Sequence, residues 1–420
     1  MVSTLSNVPS LIEESLDQRS IMSFTQFGLS EPLIRALAAL GYERPTPIQQ
    51  EAIPAALAGR DQIGCAETGS GKTAAYLLPI LQRQHASKLG PRTLILAPTR
   101  ELAEQIGQHC QQLARFTPVR SAVIYGGAAL GPQVQALRRG VTIVVATPGR
   151  LLDHLNRRTI NLSSIEILVL DEADRMLDMG FLPDVRRIVS RLPKARQTML
   201  FSATINTAVE QLAREMLDHP VKIQIGRRAT PPAQLRQTAY PVPTSSKLTL
   251  LVTLLQAQQM KSALVFSQTR RGAEGLAADL RRRGYRAEAL HAGRTQGQRQ
   301  AALAGFRSGA FQVLVATDVA ARGLDIAGVS HVINYDVPNY PHDYVHRIGR
   351  TARAGGSGQA LTLVSPREHF AWQAIEQFIG QSVPRIVLPA LAAKLPTYMI
   401  ESPTATKPKI GRRSFRPRRR

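Results

Sequence analysis

Short, wholly apolar runs recur along this chain, each breaking off into a turn and each separated from the next by a longer segment of helical period. They include TLILAP (93–98), TIVVAT (142–147), IEILVL (165–170) and QTMLFSAT (197–204), then SALVFS (262–267), FQVLVAT (311–317), VSHVINY (329–335) and QALTLVS (359–365). A strand that is apolar on both faces has to be covered on both, which a parallel sheet with helices above and below achieves. Alternation of such strands with helical segments is the mark of an α/β architecture.

The two halves echo each other. LILAPTR (94–100) is matched by LVFSQTR (264–270), and VVATPGR (144–150) by VLVATDVAARG (313–323), so two copies of one α/β unit are expected. A chain of 420 residues has room for them. Between them GRRATPPAQLRQ (226–237) carries a Pro-Pro pair and few apolar residues, as a linker should. The expected organisation is an N-terminal extension (1–21), a first domain (22–225), the linker (226–237), a second domain (238–385) and a basic C-terminal tail (386–420). The tail ends in PTATKPKIGRRSFRPRRR, which has neither a periodic pattern nor enough apolar surface to fold, and it is expected to be disordered.

The formal charge of +23 is unevenly spread: residues 1–225 carry +4 (24 basic minus 20 acidic), residues 226–402 carry +11 (21 minus 10), and residues 403–420 carry +8 (8 minus 0). Such a balance favours a polyanionic partner, nucleic acid first and an acidic membrane surface second. Cys65 and Cys110 belong to no Cys-x-x-Cys or Cys/His cluster, so a disulfide framework or structural zinc is not expected and a reducing compartment fits. The first residues lack a basic, then apolar, leader pattern, and no run approaches the ~20 apolar residues of a membrane span. A cytoplasmic protein is expected.

AETGSGKT (66–73) follows the strand-like QIGCA and precedes the apolar helix pattern TAAYLLPIL. That strand–loop–helix setting is what a phosphate-binding loop requires. Ala66, Glu67, Thr68, Gly69, Ser70 and Gly71 supply the loop, whose glycines let backbone N–H groups close around phosphate oxygens. Lys72 offers a point charge to the β- and γ-phosphates, and the Thr73 hydroxyl offers an oxygen to Mg²⁺. About a hundred residues on, VLDEADRMLDMG (169–180) ends a buried strand in Asp171, Glu172 and Asp174. Three adjacent carboxylates repel one another and are costly to desolvate. A divalent cation held by Asp171 through water, with Glu172 orienting and deprotonating an attacking water, explains their presence.

DEAD at 171–174, together with the loop, resembles the DEAD-box RNA helicases of helicase superfamily 2, and the resemblance covers roughly residues 22–385. It implies two tandem RecA-like domains, each a parallel sheet flanked by helices, and ATP and Mg²⁺ as cofactors. GYERPTPIQQ (41–50) looks like the family's adenine-reading motif, in which Gln49 would hydrogen-bond the adenine edge and Phe24 would pack on the base. APTREL (97–102), GG (126–127) and TPGR (147–150) match first-domain RNA motifs, implying RNA contacts from Pro98, Thr99, Arg100, Gly127, Thr147, Pro148, Gly149 and Arg150. SAT (202–204) looks like the motif coupling ATP state to strand separation, with Ser202 and Thr204 bonded to the DEAD segment.

In the second half VFSQTR (265–270), ATDVAARGLDI (316–326) and HRIGRTAR (346–353) resemble the remaining motifs. They imply Arg350 and Arg353 as arginine fingers on the γ-phosphate, Asp325 at the ribose, His346 against the DEAD segment and Thr317 at RNA. HAGRTQGQR (291–299) departs from the family at Ala292 and Gly293, but Gln296 and Arg299 match positions near RNA. The resemblance implies RNA-dependent ATP hydrolysis coupled to local unwinding of short duplexes, with RNA as the partner and no membrane. The compact plan with a short basic tail resembles the bacterial RhlE-like subgroup. Two rivals stay open here: a DNA-directed relative, and an ATP-gated RNA clamp or annealing chaperone. Ribosome-assembly or RNA-decay partners are not readable.

Overall fold

The computed structural model describes residues 23–67, 69–84, 90–225, 235–258, 260–321, 329–351, 358–392, 395–396 and 399. It divides into two compact units, each built on one all-parallel sheet. The first unit holds β1 (Gln62–Cys65), β2 (Thr93–Leu96), β3 (Ser121–Ile124), β4 (Ile143–Ala146), β5 (Ile167–Leu170), β6 (Gln197–Ser202) and β7 (Val221–Gln224), in the order β3-β4-β2-β5-β6-β1-β7. The second holds β8 (Leu235–Pro241), β9 (Ala263–Phe266), β10 (Ala287–Leu290), β11 (Val313–Ala316), β12 (His331–Asn334) and β13 (Gly358–Val364), in the order β10-β11-β9-β12-β13-β8. Laid side by side, β9 stands where β2 stands and β11 where β4 stands. These are the strands whose sequences echo each other.

Period-two side-chain alternation sends neighbouring strand residues into different cores. In the first unit Ile95, Val145, Val169 and Met199 join one apolar cluster, while Leu94, Leu96, Val144, Leu168 and Leu200 join the cluster on the other face. Both faces are roofed by helices, which explains why the central strands read as unbroken apolar runs. Each fully buried Leu or Ile contributes about 1.5–3 kcal/mol relative to exposure. Helices begin where the short motifs lie. Thr99 caps the helix Arg100–Leu113 by accepting from Leu102 N, and Thr269 caps Arg270–Arg282 by accepting from Gly272 N. The shared Thr-Arg pair is therefore, first of all, a helix start.

Two boundaries differ from expectation. Leu235 to Gln237, assigned to the linker, open β8 and pair with Gly358 to Ala360 of β13, with Leu235 buried. The rest of that linker (226–234) lies outside the described residues, as do the extension (1–21) and residues 400–420 of the tail. The tail also starts later than residue 386: Leu395 and Met399 are buried in the second unit's core, with Val387 packed against it. Prolines interrupt that stretch and hide the apolar spacing from a periodicity argument. Among the described residues no helix is long and apolar enough to cross a membrane.

The single tryptophan, Trp372, is buried in the second unit, edge-on to Tyr344 with ring centroids 5.4 Å apart. Tyr344 is fully buried and its hydroxyl donates to Gln237 Oε1 at 2.8 Å. Tyr344→Ala removes both contacts and leaves a ring-sized void. The expected loss is about 3–5 kcal/mol, read from the urea midpoint of the second unit by Trp372 fluorescence.

Candidate active site and nucleic-acid surface

Parallel pairing brings the carboxyl ends of all strands in a sheet to one edge, where ligands bind in open α/β folds. Strand order then sorts the motifs of the first unit. GG follows β3, TPGR follows β4 and PTR follows β2; DEAD follows β5, SAT follows β6 and the phosphate loop follows β1. The RNA-type motifs thus occupy one half of the edge and the nucleotide-type motifs the other.

At the phosphate loop Gly69 and Gly71 take positive φ, +88° and +94°. A Cβ on Gly71 would also lie 2.4 Å from Gln49 Nε2, so only glycine fits there. The contact has a purpose: Gln49 Nε2 donates to Gly71 O at 3.1 Å while its Oε1 accepts from Thr46 N at 2.9 Å. Gln49, 1% exposed, thereby ties the helix Pro47–Leu57 to the loop. Lys72 opens the helix Lys72–Arg83 and donates to Ala66 O and, at 2.9 Å, to Glu67 O. Ser70 N and Oγ both donate to Glu67 O. Thr73 is half-buried beside Lys72, and Phe24 is buried edge-on to Phe27 and Tyr42. Thr68 lies outside the described residues.

Asp171 is 3% exposed at the end of β5. Tyr76 Oη donates to its Oδ2 at 2.8 Å and Glu172 N to its Oδ1 at 2.9 Å. Burial, then the neighbouring Glu172 charge, push its pKa up to about 6, against the opposing pull of Lys72 and the Tyr76 hydrogen bond. Glu172 is one of few non-glycine residues in the left-handed region, at φ +52°, ψ +53°. The kink turns its carboxylate toward Arg175, whose Nη1 donates to Glu172 Oε2 at 3.1 Å. Asp174 faces β6. Its Oδ2 accepts from Thr204 N at 2.9 Å and from Thr204 Oγ1 at 2.8 Å, its backbone N donates to Ser202 Oγ at 3.3 Å, and Ser202 Oγ donates to Thr204 O at 2.8 Å. Tyr76 and Arg175 were not singled out from sequence. Tyr76 could have been, as the one aromatic residue in an otherwise apolar helix, four residues after Lys72 and so on the same face.

On the other half of the edge two arginines flank the glycine loop. A Cβ on Gly127 (φ +81°) would lie 2.1 Å from Arg100 Nη1, while Arg150 Nη1 and Nη2 both donate to Ala128 O at 3.1 Å. Pro98 and Thr99 lead into the Arg100 helix, and Thr147, Pro148 and Gly149 into the helix Pro148–Asn156.

In the second unit Gln296 and Arg299 lie in the first turn of the helix Gln296–Arg307, after β10, and Thr317 directly follows β11. The departure at Ala292 and Gly293 leaves an ordered turn in which Arg294 N donates to His291 O, and Arg294 Nη2 donates to Glu274 Oε1 (2.6 Å) and Glu288 Oε1 (3.0 Å). His346 sits on the helix Pro341–Ile348, and Arg350 follows that helix, buried. Between them Arg347, missed from sequence, pairs with both oxygens of Asp318 at 2.6 and 2.7 Å and donates to Asn334 Oδ1 and Asp336 O. Arg353 and Asp325 lie outside the described residues.

Because Asp171 binds its proton more tightly when folded than its ordinary value of 3.8, the folded state holds the extra proton between about pH 4 and 6, and stability falls as pH rises through that window. Asp171→Asn, measured in EDTA without nucleotide, is expected to be more stable than the parent above pH 7 by up to about 3 kcal/mol. The gain should vanish near pH 3. A pH-independent difference would contradict the assignment of the raised pKa to this carboxyl.

A family model described as "DEAD/DEAH box helicase" matches residues 46–212, and one described as "Helicase conserved C-terminal domain" matches residues 246–355. The chain is 43% identical over 370 residues to the DEAD-box ATP-dependent RNA helicase CshA of Bacillus subtilis, covering 88% of this chain and 75% of that protein. It is 44% identical over 354 residues to the ATP-dependent RNA helicase CshA of Listeria monocytogenes, covering 84% and 68%. Among solved structures, S. cerevisiae Dbp5 bound to RNA and ADP BeF3 aligns with a TM-score of 0.79 at 32% identity, over 87% of this chain and 95% of that one. Sharing its motifs, their order and most of its length with these proteins, the chain belongs to the DEAD-box family of ATP-dependent RNA helicases.

Proposed function

We infer that this enzyme couples RNA-stimulated ATP hydrolysis to local opening or remodelling of RNA duplexes, without long-range translocation. The observation that carries the reading is the hold of Ser202 and Thr204 on Asp174. The turn bearing Asp171 and Glu172 is hydrogen-bonded to the end of β6, which lies between the nucleotide motifs of β5 and β1, so a change at one is transmitted to the other.

In this reading Lys72 neutralises the β- and γ-phosphates and the backbone of Ala66 through Gly71 cradles them. Gln49 and Phe24 border the adenine, and Asp325 meets the ribose. Glu172 orients and deprotonates the attacking water, and its pairing with the buried Arg175 supports an ionised, fixed carboxylate. Arg350 and Arg353 supply charge to the γ-phosphate, and His346 acts with Ser202 and Thr204 in coupling. Arg100 and Arg150, Gly127, Pro98 and Thr99, Thr147 through Gly149, then Gln296, Arg299 and Thr317, line the RNA path. Asp171 and Thr73 offer an all-oxygen donor set, and a carboxyl whose pKa is raised first by burial and then by the Glu172 charge gains from a nearby cation. Mg²⁺ fits these residues, with Asp171 acting through water, and when bound would neutralise phosphate charge. The eight basic residues of 403–420, with Phe415 among them, support an extra non-specific RNA contact. A place near the RhlE-like subgroup rests on the resemblance of the motifs, beside matched relatives that are named CshA, and the cysteine usage supports a cytoplasmic setting.

The test is steady-state ATP hydrolysis with and without a generic single-stranded RNA, for the parent and Glu172→Gln. RNA should stimulate the parent strongly, and the variant should lose about 10²–10⁴-fold of the stimulated rate. Equal turnover with and without RNA would reduce the enzyme to a simple ATPase.

A further inference from the structure

The amino edge of the first unit's sheet, opposite the edge that carries the motifs, holds a cavity of about 460 Å³. Its walls include Gln111, Arg115, Arg120, Ser121 and Arg139. Arg115 follows the helix Arg100–Leu113, Arg120 and Ser121 lead into β3, and Arg139 ends the helix Leu130–Arg138. Arg120 Nη1 donates to Arg139 O at 3.5 Å, and the Arg115 guanidinium rests 4.7 Å from the centre of the Phe116 ring. Arg115, Arg120 and Arg139 are all exposed, and none of them is paired with a carboxylate among the described residues. In the wall, the buried Ser121 Oγ has no nitrogen or oxygen partner among the described residues and only the Cys110 thiol beside it.

The bland explanation is that arginines at helix C-termini answer the helix dipole. Two C-termini converge here, each worth roughly half a negative charge. Three guanidinium groups therefore leave a surplus of about two positive charges around a concave wall. Surface arginines in this chain commonly find acids: Arg92 pairs with Glu166, Arg157 with Asp153 and Arg186 with Glu215. The three at this cavity do not. Planar forks of donors suit tetrahedral phosphate oxygens.

We propose that Arg115, Arg120 and Arg139 form a second phosphate-binding site, distinct from the phosphate loop, that takes a phosphate group of RNA flanking the strand gripped at the motif edge. This goes beyond the activity inferred above, which needs only the motif edge. A free polyphosphate presents the same chemistry, and the test separates the two sources.

In the full-length protein, Arg115, Arg120 and Arg139 are all changed to Gln, and in a second variant all to Lys, with thermal melting to verify that both fold. RNA affinity is followed against salt for a short single strand of about 10 nucleotides and a long one of about 40. For the long RNA the Gln variant should flatten the log–log salt slope by about 0.7, the contribution of one lost phosphate contact. The Lys variant should keep most of the slope. Affinity for the short RNA, and its stimulation of ATP hydrolysis, should not change. If the long-RNA slope holds but calorimetry with tripolyphosphate in a Lys72→Ala background loses its one binding event on the Gln changes, the site stands with a small polyphosphate as its ligand. An unchanged slope with no tripolyphosphate binding overturns the site. Failure of the short RNA to bind or stimulate would count against the helicase reading and leaves the long-RNA comparison to judge this one.

Discussion

Three carboxylates crowd the end of β5, and the site depends on how their mutual repulsion is managed. Each is compensated differently. Asp174 is fully engaged by Thr204, with Ser202 bonded to its backbone, and becomes a structural tie between β5 and β6. Glu172 is turned away by a left-handed backbone and paired with a buried arginine. Among the described residues Asp171 receives only a phenol and a backbone amide, and burial, then the Glu172 charge, holds its pKa up. Two charges are settled internally so that the third can be left for a ligand.

The second unit handles buried charge in the opposite way. Arg347, 1% exposed, is satisfied by Asp318, Asn334 and the Asp336 carbonyl, and lies over the Phe266 ring. Lys247 is likewise enclosed by Glu368, Asp336 and the Tyr335 carbonyl. Breaking either set would strand a buried charge, at a cost of about 3–5 kcal/mol. These networks join the ends of β9, β11 and β12 to the helix Pro341–Ile348. They anchor the helix that carries His346 and the turn after it that carries Arg350. One unit keeps a deficit at its edge; in the other, these two networks leave their buried cations paired.

Much of this was legible in the sequence. Central strands announce themselves because both faces are covered, and the phosphate loop and DEAD segment stand at strand ends where chemistry is expected. Edge strands were not legible: β3 alternates half-buried with buried residues, β7 buries one residue in four, and β10 contains Glu288, so none reads as a fully buried run. The boundary at Leu235 was hidden by a proline-rich approach. Arg347, Tyr76 and Arg175 were hidden for another reason. Their partners lie far along the chain or across a helix turn, and spacing along one strand of text does not reveal a hydrogen bond between two strands of sheet. Gln49 was found for its expected contact with a base, yet its bonds inside the chain fix the very loop beside it.

The left-handed backbone at Glu172 carries an implication for how this enzyme can change over time. A side-chain-bearing residue in that conformation costs about 1–2 kcal/mol that glycine would avoid. Selection for heat resistance alone would thus favour glycine at a position where glycine leaves no carboxylate. Proteins generally sit little above the stability they need, and gains at such positions are bought with function. The strained glutamate is therefore a diagnostic: on the role inferred for Glu172, a relative in which the kink has been relaxed would be a sturdier protein that has lost its hydrolytic step.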